Sequence, residues 1–249
     1  MLISITERCR MGCLHCLDDA RADSDRFMSM EMFKSVLDFN FRYDPTITIT
    51  GGEPTEHPQF WEFMKLISEK MKDTNVCSIV SNGMNLSDSD ISKVIELRKS
   101  DGVFAWQISS IEPYYPIKIN LDQQIFKLPE FVIENEIQVL EPVGRAKNHK
   151  DWNFNAKAPQ CFNVRSMVRS TQNFPTTILL LRSKGRFCTP QIGYDGSIKL
   201  GESTLCPAVA HITDSEKNIV KKINNFRCEG CKGLLDKLPQ NYRNAIGED

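Results

Sequence analysis

The residues of this chain best suited to chemistry are its thiols. Cys9, Cys13 and Cys16 fall within eight residues, spaced Cys-x3-Cys-x2-Cys. Thiolates are soft donors that suit zinc or iron–sulfur centres. Three on so short a segment can wrap one face of a metal centre, yet leave a tetrahedral zinc site one donor short. His15 is the nearest other ligand type, but it sits between two of the thiols. A four-iron cluster held by three cysteines keeps one iron open to another molecule, which is a catalytic rather than a structural arrangement. Gly12 allows the tight bend that such a loop needs. The chain has nine cysteines, an odd number, and its N-terminal stretch shows no secretory-signal pattern. Reduced thiols and a cytoplasmic setting are therefore expected.

The elements that must position these thiols alternate. Leu2–Thr6, Thr46–Thr50, Val76–Val80 and Val103–Ile108 read as strands. Helical spacing covers Met28–Asn40 with a Ser29 start signal, Pro58–Met71, and Leu86–Lys99 with Ser87 or Asp88 as cap. Weaker strand patterns follow at Glu136–Val143 and Ile178–Leu181. Repeated βα units predict a parallel sheet with helices outside, and about 145 residues are too few for eight units. The expected fold is α/β, a partial TIM-like barrel over residues 1–150. Residues 151–249 read as a linker and a second, smaller unit. That unit contains a β-hairpin over Gln191–Leu200, turning at Asp195-Gly196, and five of the nine cysteines. His57, at a helix start, reads as a solvated residue, and Cys77 as core.

Charge and hydropathy narrow the function. The 31 basic and 32 acidic residues nearly cancel, which excludes a polybasic nucleic-acid coat. No apolar run approaches ~18 residues, so no membrane span is expected. One basic window stands out: from Asp151 to Asp195 there is no acidic residue between, while Lys157, Arg165, Arg169, Arg182, Lys184 and Arg186 are present. An anionic substrate is one reading of it, and surface solvation is the other.

The strand, the Cys9-x3-Cys13-x2-Cys16 loop, and Gly51-Gly52-Glu53-Pro54 after the second strand together resemble the radical S-adenosylmethionine (radical SAM) superfamily. The resemblance implies a (β/α)6 partial barrel. It implies a [4Fe-4S] cluster on the three cysteines, with SAM chelated at the open iron. It implies reductive cleavage of SAM to a 5′-deoxyadenosyl radical that abstracts a substrate hydrogen. In such a chain Gly51, Gly52, Glu53 and Pro54 contact the methionine amino group. Ser81 and Asn82, in Val80-Ser81-Asn82-Gly83, lie near SAM, as does Ser109. His15 packs near the adenine. An external donor such as flavodoxin or ferredoxin supplies the electron. Zinc or redox roles for the three cysteines, and plain strand-end roles for Asn82 and Ser109, are the alternatives.

Cys188, then Gly201-x4-Cys206, then Cys228-x2-Cys231 resemble the twitch (shortened SPASM) extension of that superfamily. The resemblance implies a small C-terminal β-hairpin/helix domain and a second, auxiliary [4Fe-4S] cluster on Cys188, Cys206, Cys228 and Cys231. A four-cysteine zinc site is the competing reading. Cys161 lies outside the pattern and is a candidate hydrogen-atom donor. Pro142-Val143-Gly144-Arg145-Ala146 resembles a late-strand segment of twitch-bearing members, where Arg145 would hold a carboxylate of SAM or substrate. The expected function is peptide or protein modification. The alternatives are oxidation or rearrangement of a small anionic or sugar-like metabolite, and a non-catalytic zinc or nucleic-acid module.

Overall fold

The computed structural model describes residues 1–110, 114–134, 144–145, 190–201 and 206–226. The described strands are β1 (Leu2–Ser4), β2 (Thr46–Thr50), β3 (Val76–Ser81), β4 (Val103–Ser109), β5 (Phe131–Glu134), β6 (Pro190–Ile192), β7 (Ser197–Leu200) and β8 (Ala208–His211). They form one open sheet in the order β5-β4-β3-β2-β1-β6-β7-β8. All neighbours from β5 through β1 to β6 are parallel, and β7 and β8 are antiparallel additions. The helices are α1 (Met30–Tyr43), α2 (Phe60–Lys70), α3 (Ile91–Leu97) and α4 (Glu216–Asn225).

Alternation along the strands divides the sheet into two unlike faces. Ile3, Ile47, Ile49, Cys77, Ile79, Phe104, Trp106 and Ile108 are buried in the main core. Helix side chains close over them; Phe33 of α1 and Phe63 of α2 stack at 3.9 Å. The other face mixes hydroxyl, amide and apolar side chains and is less buried. Its register sets Leu2, Thr48, Ser78 and Ala105 in one row. Gln191 of β6 pairs with Leu2, and Lys199 of β7 with Gln191, so both extend that row.

Local signals explain most element ends. Ser29 caps α1, its hydroxyl accepting from the Met32 amide at 3.1 Å. At the far end of α1, the Asn40 amide donates to the carbonyls of Asp44 and Thr46, tying the helix to the start of β2. The predicted Leu86–Lys99 helix is shorter. Ser87 and Asp90 form a capping box around a 3-10 turn, and regular helix begins only at Ile91. The hairpin turns as expected, with Gly196 at φ +82°. Its first strand, β6, pairs with β1 in the same sheet. β5, β8 and α4 carried no clear sequence signal. The predicted strands Glu136–Val143 and Ile178–Leu181, and the expected boundary near residue 150, lie outside the described residues.

His57 departs from expectation: it is 3% exposed, not solvated. Its Nδ1 accepts from the Gln59 amide at 3.0 Å, which leaves Nε2–H to donate to the Met28 carbonyl at 2.9 Å. The ring packs against Phe27 and Phe63. It therefore pins the approach to α1 against the start of α2. Burial holds its pKa below the ordinary histidine value. The unfolded chain thus takes up a proton at His57 first as pH falls. Stability from this residue is intact above about pH 6.5 and declines as pH drops from there toward the depressed folded value. His57→Gln is expected to lower stability at pH 8 by about 1–3 kcal/mol. The gap from the parent is expected to narrow at pH 5.5, as thermal melts across that range would show.

Candidate active site at the carboxyl edge of the sheet

The loops leaving β1, β2, β3 and β4 meet at one edge, where parallel α/β sheets place their ligands. They enclose a cavity of about 260 Å³. Cys9, Cys13 and Cys16 all line it, and so do His15, Gly51, Gly52 and Glu53. Ser81, Asn82, Ser109 and Arg145 complete the predicted set on its wall. Pro54 is buried behind Glu53 and opens the next turn. Tyr115 and Gln191 also line the cavity.

The cysteine loop is built against the Gly51-Gly52 segment. The Gly52 amide donates to the Thr6 carbonyl at 2.8 Å, and the Glu53 amide to the Arg8 carbonyl at 2.7 Å. Gly51 has φ +141°, and a Cβ there would lie 2.4 Å from the Thr6 oxygen. A Cβ on Gly52 would lie 2.3 Å from the Arg8 oxygen. The glycines are thus required by close approach of the chain to itself, not only to a ligand. Glu56 adds a further tie: its carboxylate accepts from the Arg10 amide at 2.9 Å and faces the Arg8 and Arg10 guanidinium groups.

Glu53 is 1% exposed. One of its oxygens accepts from the Thr55 amide, the Thr55 hydroxyl and the Ser81 hydroxyl, and the other from the Asn82 amide at 2.7 Å. Burial pushes its pKa up, while those donors pull it back. The Asn82 side chain reaches on to the Cys9 sulfur at 3.6 Å. The His15 ring lies edge-on to Tyr114 and Tyr115, and its buried Nδ1 has no hydrogen-bond partner among the described residues. Tyr115 bonds to Ser109, and burial raises its phenol pKa. The Arg145 guanidinium points onto the cysteine loop: Nη1 donates to the Cys13 carbonyl at 2.9 Å and Nη2 to that of Ala20.

The thiols suit a polynuclear centre. Burial pushes Cys9 to about 11, and burial with its two neighbouring thiols pushes Cys13 to about 12. Ionising several thiols in this desolvated spot needs a compensating cation. No three or more His, Cys, Asp or Glu side chains among the described residues are set to hold a single metal ion. Cys9, Cys13 and Cys16 nonetheless all line one cavity. Glu53 lines the same cavity. Cys77 is fully buried in β3, where burial raises its thiol pKa, and it does not line the cavity. Of the four cysteines in the second group, Cys206 is partly buried; Cys188, Cys228 and Cys231 lie outside the described residues, as does Cys161. The acid-free window from Asp151 lies largely outside them too.

Comparison with known proteins bears on this arrangement. Residues 3–110 match the model of the radical SAM superfamily. A probable GTP 3′,8-cyclase of Pyrococcus horikoshii is 21% identical over 159 residues, 53% of this chain and 51% of that protein. The antilisterial bacteriocin subtilosin biosynthesis protein AlbA of Bacillus subtilis is 31% identical over 80 residues, 32% of this chain and 17% of that protein. The chain thus spans about half the length of the first relative and less of the second. Among solved structures, BtrN in complex with AdoMet and 2-DOIA gives a TM-score of 0.55 at 11% identity, covering 100% of this chain and 90% of BtrN. Native anSMEcpe with bound AdoMet gives 0.54 at 15%, covering 94% and 82%. These likenesses show the fold, an open partial TIM barrel.

Gly52→Ala sets a methyl group against the Arg8 carbonyl and forces the Cys9 loop to move. It is expected to cost about 1–3 kcal/mol in urea unfolding and to reduce the iron bound on anaerobic reconstitution relative to the parent.

Proposed function

We propose that this chain is a radical SAM enzyme that modifies a peptide or protein substrate. One observation carries the reading: Cys9, Cys13 and Cys16 share a single cavity with Gly51, Gly52, Glu53, Ser81 and Asn82. When bound, a [4Fe-4S] cluster and SAM supply a 5′-deoxyadenosyl radical that takes a hydrogen atom from the substrate. Glu53, fixed by Thr55, Ser81 and Asn82, holds the cationic amino group of the cofactor. Ser109 and Tyr115 border the same space, and His15 offers a flat face for a base. The likeness to AlbA and, in fold, to SuiB bound to precursor peptide SuiA (TM-score 0.50, 12% identity, 92% of this chain and 67% of SuiB) favours a peptide.

A second reading has its own support. The inner face of the sheet carries Ser4, Thr48, Thr50, Ser78 and Gln107, each only partly buried. Such hydroxyl and amide groups suit a small polar or sugar-like substrate to be oxidised or rearranged. The match to BtrN, whose structure holds 2-DOIA, spans the whole chain. A non-catalytic zinc or nucleic-acid module is not favoured, because it leaves the radical SAM domain without a role. The division into a barrel of residues 1–150 and a twitch unit of 151–249 belongs to the proposal. So do an auxiliary cluster on Cys188, Cys206, Cys228 and Cys231, a flavodoxin or ferredoxin as electron donor, and a cytoplasmic setting. Among the described residues no helix is long and apolar enough to cross a membrane.

Anaerobic reconstitution followed by reductant and SAM tests the enzyme reading. The parent is expected to release 5′-deoxyadenosine, and Cys9→Ala, Cys13→Ala and Cys16→Ala to reduce it to background. About eight irons per chain would support two clusters and about four only one. Co-expression with a short peptide encoded nearby, read by mass spectrometry, separates the substrates. A mass change in the peptide supports the first reading. An unchanged peptide, with 5′-deoxyadenosine release stimulated by polar metabolites, supports the second.

A further inference from the structure

The two halves of the cysteine loop are held by different parts of the chain. The first half is fixed early in the sequence, through Gly52, Glu53, Glu56 and Asn82, as described above. The second half, from Gly12 to Ala20, has no regular secondary structure. Within it the Cys16 amide reaches the Cys13 carbonyl at 3.3 Å, and from outside it the Tyr114 carbonyl accepts from the Leu14 amide at 3.0 Å. This half nonetheless carries two of the three thiols.

What grips it is Gly144-Arg145. The Arg145 amide donates to the Cys16 carbonyl at 2.9 Å. Its guanidinium donates to the carbonyls of Cys13 and Ala20, and its Nε lies 3.3 Å from the Asp19 carboxylate. One residue thus meets four positions of the loop. Gly144 makes the approach possible: it sits at φ +55°, and a Cβ there would lie 2.3 Å from the Leu17 oxygen and 2.4 Å from the Cys16 oxygen. A planar guanidinium has five donors in a fixed fork and can span several carbonyls at once, whereas an ammonium is a single point of charge.

We propose that Gly144-Arg145 is a clamp that sets the backbone on which Cys13 and Cys16 present their thiols, so that Arg145 is a positioning residue and not the carboxylate-binding arm that its sequence context suggests. All three guanidinium nitrogens already face acceptors of the loop, which leaves the group poorly placed to hold a bidentate carboxylate as well. The inference rests on the three cysteines holding a cluster, and the parent protein tests that premise separately through its iron uptake.

Two measurements on the full-length chain test the clamp, with Arg145→Lys, Arg145→Gln and Gly144→Ala as variants. In the apoprotein, hydrogen exchange of the amides from Cys13 to Ala20 is expected to accelerate in all three, with the core strands unchanged. In reconstituted protein without SAM, release of iron to a ferrous chelator is expected to be about 10- to 100-fold faster than in the parent, and Arg145→Lys is expected not to restore it. Gly144→Ala leaves every charged group in place, so its agreement with the arginine variants excludes a lost charge as the cause. If Arg145→Gln does not fold by circular dichroism, Asp19→Asn, which removes one exposed contact, is expected to show the same faster exchange and release to a smaller degree. Parent-like exchange and iron release, with only SAM affinity lowered, would overturn the clamp and return Arg145 to a carboxylate-binding role.

Discussion

The site depends on a buried carboxylate. Glu53 lies at the exit of β2 with almost no water contact, and an unpaired carboxylate in such a place costs several kcal/mol. The cost is offset only because donors from Thr55, Ser81 and Asn82 converge on it. Those donors come from two loops, so satisfying one charge fixes the exit of β3 against the exit of β2. Asn82 then carries the constraint to the Cys9 sulfur. An apolar residue at position 53 would leave the Asn82 amide and the Ser81 hydroxyl without this partner, and the penalty for a stranded buried donor exceeds the gain from a made bond. The carboxylate is thus a structural keystone before it is a ligand for anything cationic.

The same logic explains why the loop lacks secondary structure and still has a defined shape. Its carbonyls are used one by one: Thr6 by Gly52, Arg8 by Glu53, Cys13 and Cys16 by Arg145. Buried backbone groups must find partners, and here the partners are amides and a guanidinium from neighbouring loops. Glycine recurs at the contacts because backbone meets backbone there with no room for a Cβ. Loops on a rigid sheet are where binding residues concentrate, and in this chain the sheet edge and the loop are joined by direct main-chain bonds.

This separates what was legible in the sequence from what was not. Thr46–Thr50 announces its strand and both faces by strict alternation, and the Cys9-Cys13-Cys16 spacing with Gly51-Gly52-Glu53 announces the cavity, because both signals are local. His57 was misjudged because its burial comes from Phe27, Phe63 and Met28, which meet only in the fold. Gln191 gave no signal, since it reaches the cavity only through the pairing of β6 with β1. Glu56 carries no local mark of its role, because its partners Arg8 and Arg10 meet it only in the fold. Arg145 was flagged by type and context, and only geometry shows which atoms it faces.

The C-terminal hairpin bears on the site through β1. That strand is three residues long, too short to be held firmly by pairing along one edge, since strands of this length add few ladder bonds. It is paired on both edges, to β2 at Leu2, Ile3 and Ser4 and to β6 at Leu2 and Ile3. The cysteine loop leaves the end of β1 directly, so the hairpin that supplies β6 steadies the origin of the loop while Gln191 enters the cavity wall. A segment almost two hundred residues downstream therefore helps to set the position of the first thiol. The hairpin belongs to the scaffold of the site even before any metal bound by its neighbouring cysteines is considered.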